Sequence, residues 1–368
     1  MPIKKAAHGG SFFSAIGEDF SSLGKSRSVI SADVLDAWFD PSPRVIKKIR
    51  SFLPFLIRTS PPTHCHGLIR TISSRRGIPV ENIMVAGGSS DIIFKLFPRI
   101  VSSKDNVLVL DPMYAEYGHI LAHVLGADIT LHKLVKEAGF KIDVQELLGH
   151  INLTKPKIVI MVNPNSPTGQ HLCKRDVLYL LSRIPKDTLL VLDETYIDYV
   201  NQKESMETEV AKKSNLVVIK SMSKAYALSG VRVAYMVGSR NLVEDISKIT
   251  PPWVVSLVGQ VAAVEALKDE DYYSAKYKET HKLRESLSKE LRKISSIVVY
   301  DSCANFFLVE LTHDKIRAKQ LVKELQKNDI FVRECSSISH QLKNFVRISV
   351  KDGRTNKLIS TEMKKILS

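Results

Sequence analysis

The chain has 368 residues, with 53 lysines and arginines against 39 aspartates and glutamates, giving a formal charge of +14 with histidine neutral. Its 44% hydrophobic and 25% charged residues and mean hydropathy of −0.04 are those of an ordinary globular protein, and they exclude disordered, collagen-like and coiled-coil chains. The length suits one large domain and one smaller one.

The basic residues interleave with Glu and Asp in amphipathic stretches such as 275–293 and 312–327, and no arginine-rich block or aromatic ladder occurs. The excess reads as a solvated surface of mixed sign, with attraction of anionic ligands as the alternative; no nucleic-acid partner is expected. No apolar leader follows Met1, and apolar runs such as 158–162 are far shorter than a bilayer span, so no membrane partner is expected. Cys65, Cys173, Cys303 and Cys335 form no C-x-x-C pair and show no ligand-like spacing to histidine, which suits reduced thiols in a cytoplasm and no metal site.

Residues 1–44 are irregular and read as an arm packed against the smaller domain. From about residue 80, near-continuous Val/Ile/Leu runs at 83–86, 107–110, 158–162, 189–193, 216–219 and 233–237 alternate with helical patterns. That alternation predicts an α/β fold, a mostly parallel sheet buried on both faces, across a large domain at 45–245. A long polar helical stretch then precedes strands at 297–300, 305–310, 330–333 and 345–350, predicting a small α+β domain over 246–368.

Ligands collect at the carboxyl ends of strands in such sheets, and four polar clusters stand there. Gly87-Gly88-Ser89-Ser90-Asp91 opens a helix, which makes either a phosphate cradle or a plain N-cap. Asn163-Pro164-Asn165-Ser166-Pro167-Thr168-Gly169 is a rigid loop suited to a planar ligand, or an ordinary turn. Asp193-Glu194-Thr195-Tyr196 ends a strongly apolar strand, where a buried acid is costly without a cationic partner. Ser221-Met222-Ser223-Lys224, with Arg232 beyond, puts a lysine between hydroxyls at a strand end, able to form a Schiff base or simply to lie on the surface.

In this order and spacing the four clusters resemble the fold-type I pyridoxal-phosphate enzymes of aminotransferase class I/II, nearest the group of histidinol-phosphate aminotransferase and threonine-phosphate decarboxylase. The resemblance runs from about residue 29 to the C-terminus. It implies an aspartate aminotransferase-like fold with a sheet of seven-stranded type, and a homodimer with active sites at the interface. It also implies that Lys224 holds pyridoxal 5'-phosphate and moves the substrate proton, that Asp193 pairs with the pyridinium nitrogen, and that Tyr196 approaches the phenolic oxygen. Tyr114 then stacks on the ring, while Ser89, Ser90, Ser221, Ser223 and Arg232 hold the phosphate. Arg347, in Phe345-Val346-Arg347-Ile348-Ser349, matches the arginine that binds the substrate α-carboxylate, and Arg333 sits where a second anion-binding arginine often occurs. Asn305 matches a recurring motif position and reads as a loop or strand organiser.

The chain also departs from that pattern. Ser166 replaces the asparagine that usually reaches the phenolic oxygen, leaving Asn165 or Ser166 to substitute. Residues 58–66 lack the tyrosine that reaches the neighbouring subunit's phosphate; Thr59, Ser60 or His64 could take its place, or His64 and His66 could be plain interface histidines. Asp36 and Trp38 stand in a substrate-contacting stretch and point to a cationic or amphipathic substrate side chain. His8-Gly9-Gly10 resembles the start of the phosphothreonine decarboxylases. The leading function is an aminotransferase acting at Cα of an L-amino acid or amine. The alternative is a lyase, either a decarboxylase of a phospho-amino acid or an elimination/cyclisation enzyme on a hydroxylated guanidino acid.

Overall fold

The computed structural model describes residues 9–312 and 314–368; His8, in the expected His-Gly-Gly start, lies outside them. In chain order the strands are β1 (Ile30–Ala32), β2 (Ile83–Ala86), β3 (Asn106–Asp111), β4 (Asp128–Lys133), β5 (Ile158–Val162) and β6 (Leu189–Asp193). They continue with β7 (Leu216–Ser221), β8 (Ala234–Val237), β9 (Ile297–Val299), β10 (Phe306–Leu311), β11 (Ile330–Glu334) and β12 (Phe345–Ser349). A seven-stranded sheet has the order β2-β8-β7-β6-β5-β3-β4, and a five-stranded sheet the order β1-β11-β12-β10-β9.

In the large sheet only β8 runs against its neighbours, pairing antiparallel with both β2 and β7. The remaining ladders are parallel, with Val162 opposite Asp193 and Asp193 opposite Ile219. Every residue of β5 and β7 is buried, which is why these strands read as unbroken apolar runs. Each fully buried Val, Leu or Ile there contributes about 1.5–3 kcal/mol.

The small sheet is antiparallel except at its edge, where β1 lies parallel to β11 with Ile30 opposite Ile330. Its own core gathers Val309, Leu321, Val332, Ile348 and Met363. Val255, Ala262, Ala263, Ala266 and Tyr273 remain in the core of the large sheet, whereas Leu287 and Leu291 belong to that of the small sheet. Within the helix Glu270–Leu291 the chain thus passes from one apolar cluster to the other, while Ala304, Phe306, Leu308 and Phe345 return to the first.

On the face of the large sheet away from the cavity described below lies a buried ion cluster. Lys220 Nζ is 3.4 Å from Glu194 Oε2 and 3.9 Å from Asp198 Oδ2, and Arg76 Nη2 is 3.3 Å from Asp198 Oδ1. Tyr235 donates to Glu207 Oε2 at 2.7 Å, and Arg76 donates to the phenol oxygen of Tyr226. Each buried charge here is paired, as the cost of desolvating it requires. Among the described residues no helix is long and apolar enough to cross a membrane, and no cluster of three or more His, Cys, Asp or Glu is placed to hold a metal.

Candidate active site

β5, β6 and β7 are parallel neighbours, so their carboxyl ends open on one edge of the sheet. There β5 runs into the 163–169 loop, β6 ends on Asp193, and β7 ends on Ser221 and the single turn Met222–Ala225 that carries Lys224. The Gly87-Gly88 turn after β2 and the helix Ser89–Ile100 close the same side. Between them is a cavity of about 220 Å³.

At one end of this cavity are Ser89, Ser90, Ser221, Ser223 and Arg232. No side chain caps the helix that begins at Ser89, so its first N–H groups are open to an anion. Gly88 has φ of +106°, and a Cβ there would collide with the Arg232 guanidinium, which crosses the turn. Arg232 Nη1 donates to Ser223 Oγ at 3.3 Å and to Ser229 O at 3.0 Å, which fixes the cation in place.

At the other end Asp193 is buried and accepts from Tyr117 OH at 2.7 Å, Thr195 Oγ1 at 2.6 Å and Thr195 N at 2.9 Å. Burial pushes its carboxyl above the ordinary value despite these bonds. Its hydrogen-bond donors are all neutral, so a cation in the cavity completes it.

Between the two ends, burial pushes the Tyr114 phenol up to about 12, and burial likewise raises Tyr196 well above its usual value. Tyr114 meets Tyr117 edge-on at 6.0 Å between ring centroids, and Tyr196 meets Phe306 at 5.2 Å. Arg347 is buried in the facing wall and donates to Ser166 Oγ and Asp33 O, both at 3.2 Å. Its Nε has no partner among the described residues. Arg333 stands opposite Arg347 in the β11/β12 register and donates to Ser337 Oγ at 3.0 Å. Both line a side chamber of about 50 Å³ with Gly9 and Tyr114. Burial, with Arg347 beside it, lowers the Arg333 guanidinium from its ordinary value.

Three further expected residues are engaged by protein partners. The Asp36 carboxylate is bound to Lys224 Nζ and to Ser229 Oγ, each at 2.6 Å, and so touches the lysine that lines the cavity. Trp38 donates to Thr280 Oγ1 at 2.8 Å and lies under the Lys276 ammonium, so the indole serves the long helix. Asn165 is buried behind the wall, its Nδ2 donating to Pro112 O at 3.0 Å and Thr168 Oγ1 at 2.9 Å; of the two residues able to replace the missing asparagine, only Ser166 borders the cavity. Asn305 Nδ2 donates to Leu35 O at 3.0 Å, tying the arm to the small sheet. His64 and His66 border a separate cavity with Pro251 and Pro252.

Neither Tyr117 nor Asp33 carries a signal in the sequence. Tyr117 follows Tyr114 at helical spacing and reads as core. Asp33 accepts from Gly10 N at 2.7 Å and Ser11 N at 2.8 Å, a contact across more than twenty residues with no local signature.

An anion cradle at one end, a buried carboxylate awaiting a cation at the other, and a lysine between them fit pyridoxal phosphate, whose phosphate, pyridinium and aldehyde they complement. Fold and cavity together define a pyridoxal-phosphate-dependent enzyme of the aspartate aminotransferase type. Residues 36–361 match the family Aminotransferase class I and II, and the chain belongs to that family.

The histidinol-phosphate aminotransferase of Methanocaldococcus jannaschii is 31% identical over 311 residues, which span 84% of this chain and 82% of that one. The enzyme of the same name from Pelagibacter ubique is 30% identical over 354 residues, 95% of each chain. Aspartate aminotransferase of Thermus thermophilus, solved with maleate, has the same fold: a TM-score of 0.79 over 97% of both chains at 19% identity.

Proposed function

We propose that this aminotransferase takes the amino group from an amine or L-amino acid bearing an anionic group, with histidinol phosphate the first substrate to test in view of its relatives' names. The observation that carries this reading is the buried, unpartnered Nε of Arg347, with a second guanidinium, Arg333, opposite it across the strand pair. A planar fork with a donor to spare suits a carboxylate or phosphate oxygen.

When bound, pyridoxal phosphate supplies an electron-withdrawing ring that weakens the bonds at the substrate Cα. Lys224 would hold the cofactor through Nζ, and the same amine, when free, would carry the Cα proton. Asp193 keeps the ring nitrogen protonated, its own carboxylate oriented by Tyr117 and Thr195. Tyr196 and Ser166 would hold the phenolic oxygen, and Tyr114 would cover the ring. Ser89, Ser90, Ser221, Ser223 and Arg232 grip the phosphate.

The working unit in this reading is a cytoplasmic homodimer. Ile46, Phe52, Phe55 and Ile57 are exposed on the helix Pro43–Arg58, more apolar surface than one helix of a monomer usually shows. The four free cysteines suit a reducing compartment. Phe55→Glu is expected to yield monomers by light scattering.

Glutamate formation from histidinol phosphate and 2-oxoglutarate, abolished in Arg347→Ala, is the expected result. Carbon dioxide released from a phospho-amino acid, without amino transfer, would overturn it in favour of a lyase.

A further inference from the structure

Lys224 sits on a single helical turn, and tyrosines from outside that turn bond its carbonyls one after another. Tyr199 OH donates to Lys224 O at 2.9 Å, Tyr277 OH to Ala225 O at 3.1 Å, and Tyr273 OH to Tyr226 O at 3.2 Å. So short a helix leaves its last carbonyls without intrahelical donors, and three phenols supply them. Tyr226 is held a second time, through its own hydroxyl, by Arg76 of the buried ion cluster.

The rings pack as tightly as the hydroxyls bond: Tyr199 on Tyr277 at 5.2 Å and Tyr226 on Tyr273 at 4.9 Å, both edge-on. Burial raises all three clamping phenols, with Tyr273 at about 12, so they remain donors at neutral pH. Tyr273 and Tyr277 come from the helix whose later residues Leu287 and Leu291 belong to the small-sheet core. The clamp thus joins the helix that reaches the small-sheet core to the turn that carries the lysine.

We propose that Tyr199, Tyr273 and Tyr277 are positioning residues for Lys224. By fixing the carbonyls of residues 224–226 they set the direction in which the lysine side chain leaves the turn, and so the reach of Nζ into the cavity. The proposal rests on Lys224 being the residue that holds the cofactor. A shift of a fraction of an ångström at the reacting amine is enough to slow the chemistry without loosening the fold.

The test uses holoenzyme carrying Tyr273→Phe, Tyr277→Phe or both, with Tyr272→Phe as control, since that hydroxyl on the same helix bonds Asp40 O instead. The absorbance of the cofactor on Lys224 is titrated with pH in the absence of substrate. Its midpoint is expected to move by about half a unit or more in the clamp variants and to stay put in the control, while kcat falls about tenfold with KM nearly unchanged. Melting temperatures confirm that each variant is folded, and Tyr277→Phe alone decides if the double variant does not fold. An unmoved midpoint and kcat in a folded clamp variant, with the borohydride-reduced adduct still on Lys224, overturn the clamp alone. No adduct on Lys224 in the parent enzyme overturns the clamp together with the assignment of the lysine.

Discussion

The Asp36 carboxylate lies 2.6 Å from Lys224 Nζ, joining the N-terminal arm to the turn beyond β7 across 188 residues. Burial pushes this carboxyl up, but the Lys224 charge and the bonds from Lys224 and Ser229 outweigh it and hold the group below its ordinary value. In cofactor-free protein the amine must part from Asp36 before it can attack an aldehyde. At this partial exposure the pair contributes about 1 kcal/mol at most, so Asp36→Asn should speed cofactor capture at pH 7 about two- to fivefold. Stopped-flow absorbance after mixing checks this; an equal or slower rate counts against it.

Asp193→Asn separates activity from stability. A buried acid with a raised folded pKa is stabilised by protonation, so in cofactor-free protein its contribution grows as pH falls and becomes a penalty above the folded pKa. The amide removes that penalty, and the melting temperature of cofactor-free Asp193→Asn should rise by a few degrees at pH 7 or above. Its kcat should fall by about a thousandfold or more, because the ring nitrogen loses its anionic partner. Calorimetry and steady-state kinetics on the same preparation test both halves.

Gly88→Ala should weaken cofactor binding about tenfold or more. The new methyl group meets Arg232 and the backbone is already at φ of +106°, so strain and displacement of the phosphate-facing guanidinium act together. Equilibrium dialysis measures the affinity, and unaltered binding would mean that Arg232 does not face the phosphate.

Lys351 follows β12 and is set to about 8 by burial, reinforced by Lys224 and opposed by Asp36 and Asp33. Its folded pKa lies below the unfolded value of 10.5, so the fold binds this proton more weakly than the unfolded chain does. Stability therefore falls as pH drops from 10.5 towards 8 and then levels off. Lys351→Met should stabilise cofactor-free protein at pH 7 by about 2 kcal/mol and flatten the rise above pH 8. Urea unfolding at pH 7 and pH 10 distinguishes this from a uniform packing gain.

Ten of the twelve strands among the described residues are legible in the sequence, because burial on both faces, or on one face of a packed sheet, leaves an apolar run. β4 escapes notice as an edge strand on which Asp128, Leu131 and Lys133 are exposed, breaking the run. β1 is three residues long and exists only because β11 offers it a ladder. The residues around the cavity are legible where strand ends and a glycine turn concentrate polar groups in short stretches. Tyr117, Asp33 and Ser229 are not, since each earns its place through a partner distant in sequence. Trp38 shows the converse: its neighbourhood in sequence suggests the substrate, while its hydrogen bond goes to Thr280.

The alternation of side chains along β6 and β7 has an evolutionary consequence. Asp193 and Ser221 face the cavity, and their immediate neighbours Glu194 and Lys220 face the ion cluster on the other side of the same sheet. One layer of backbone therefore answers to two sets of constraints at once. Lys220 cannot drift to a neutral residue without leaving the buried Glu194 charge only the neutral donors Ser205 and Met206 N, and any relief sought through the backbone moves the carboxylate or the hydroxyl on the far side. Specificity in this scaffold is consequently freer to diverge on the small-sheet wall and the arm than along the strands that bear the chemistry.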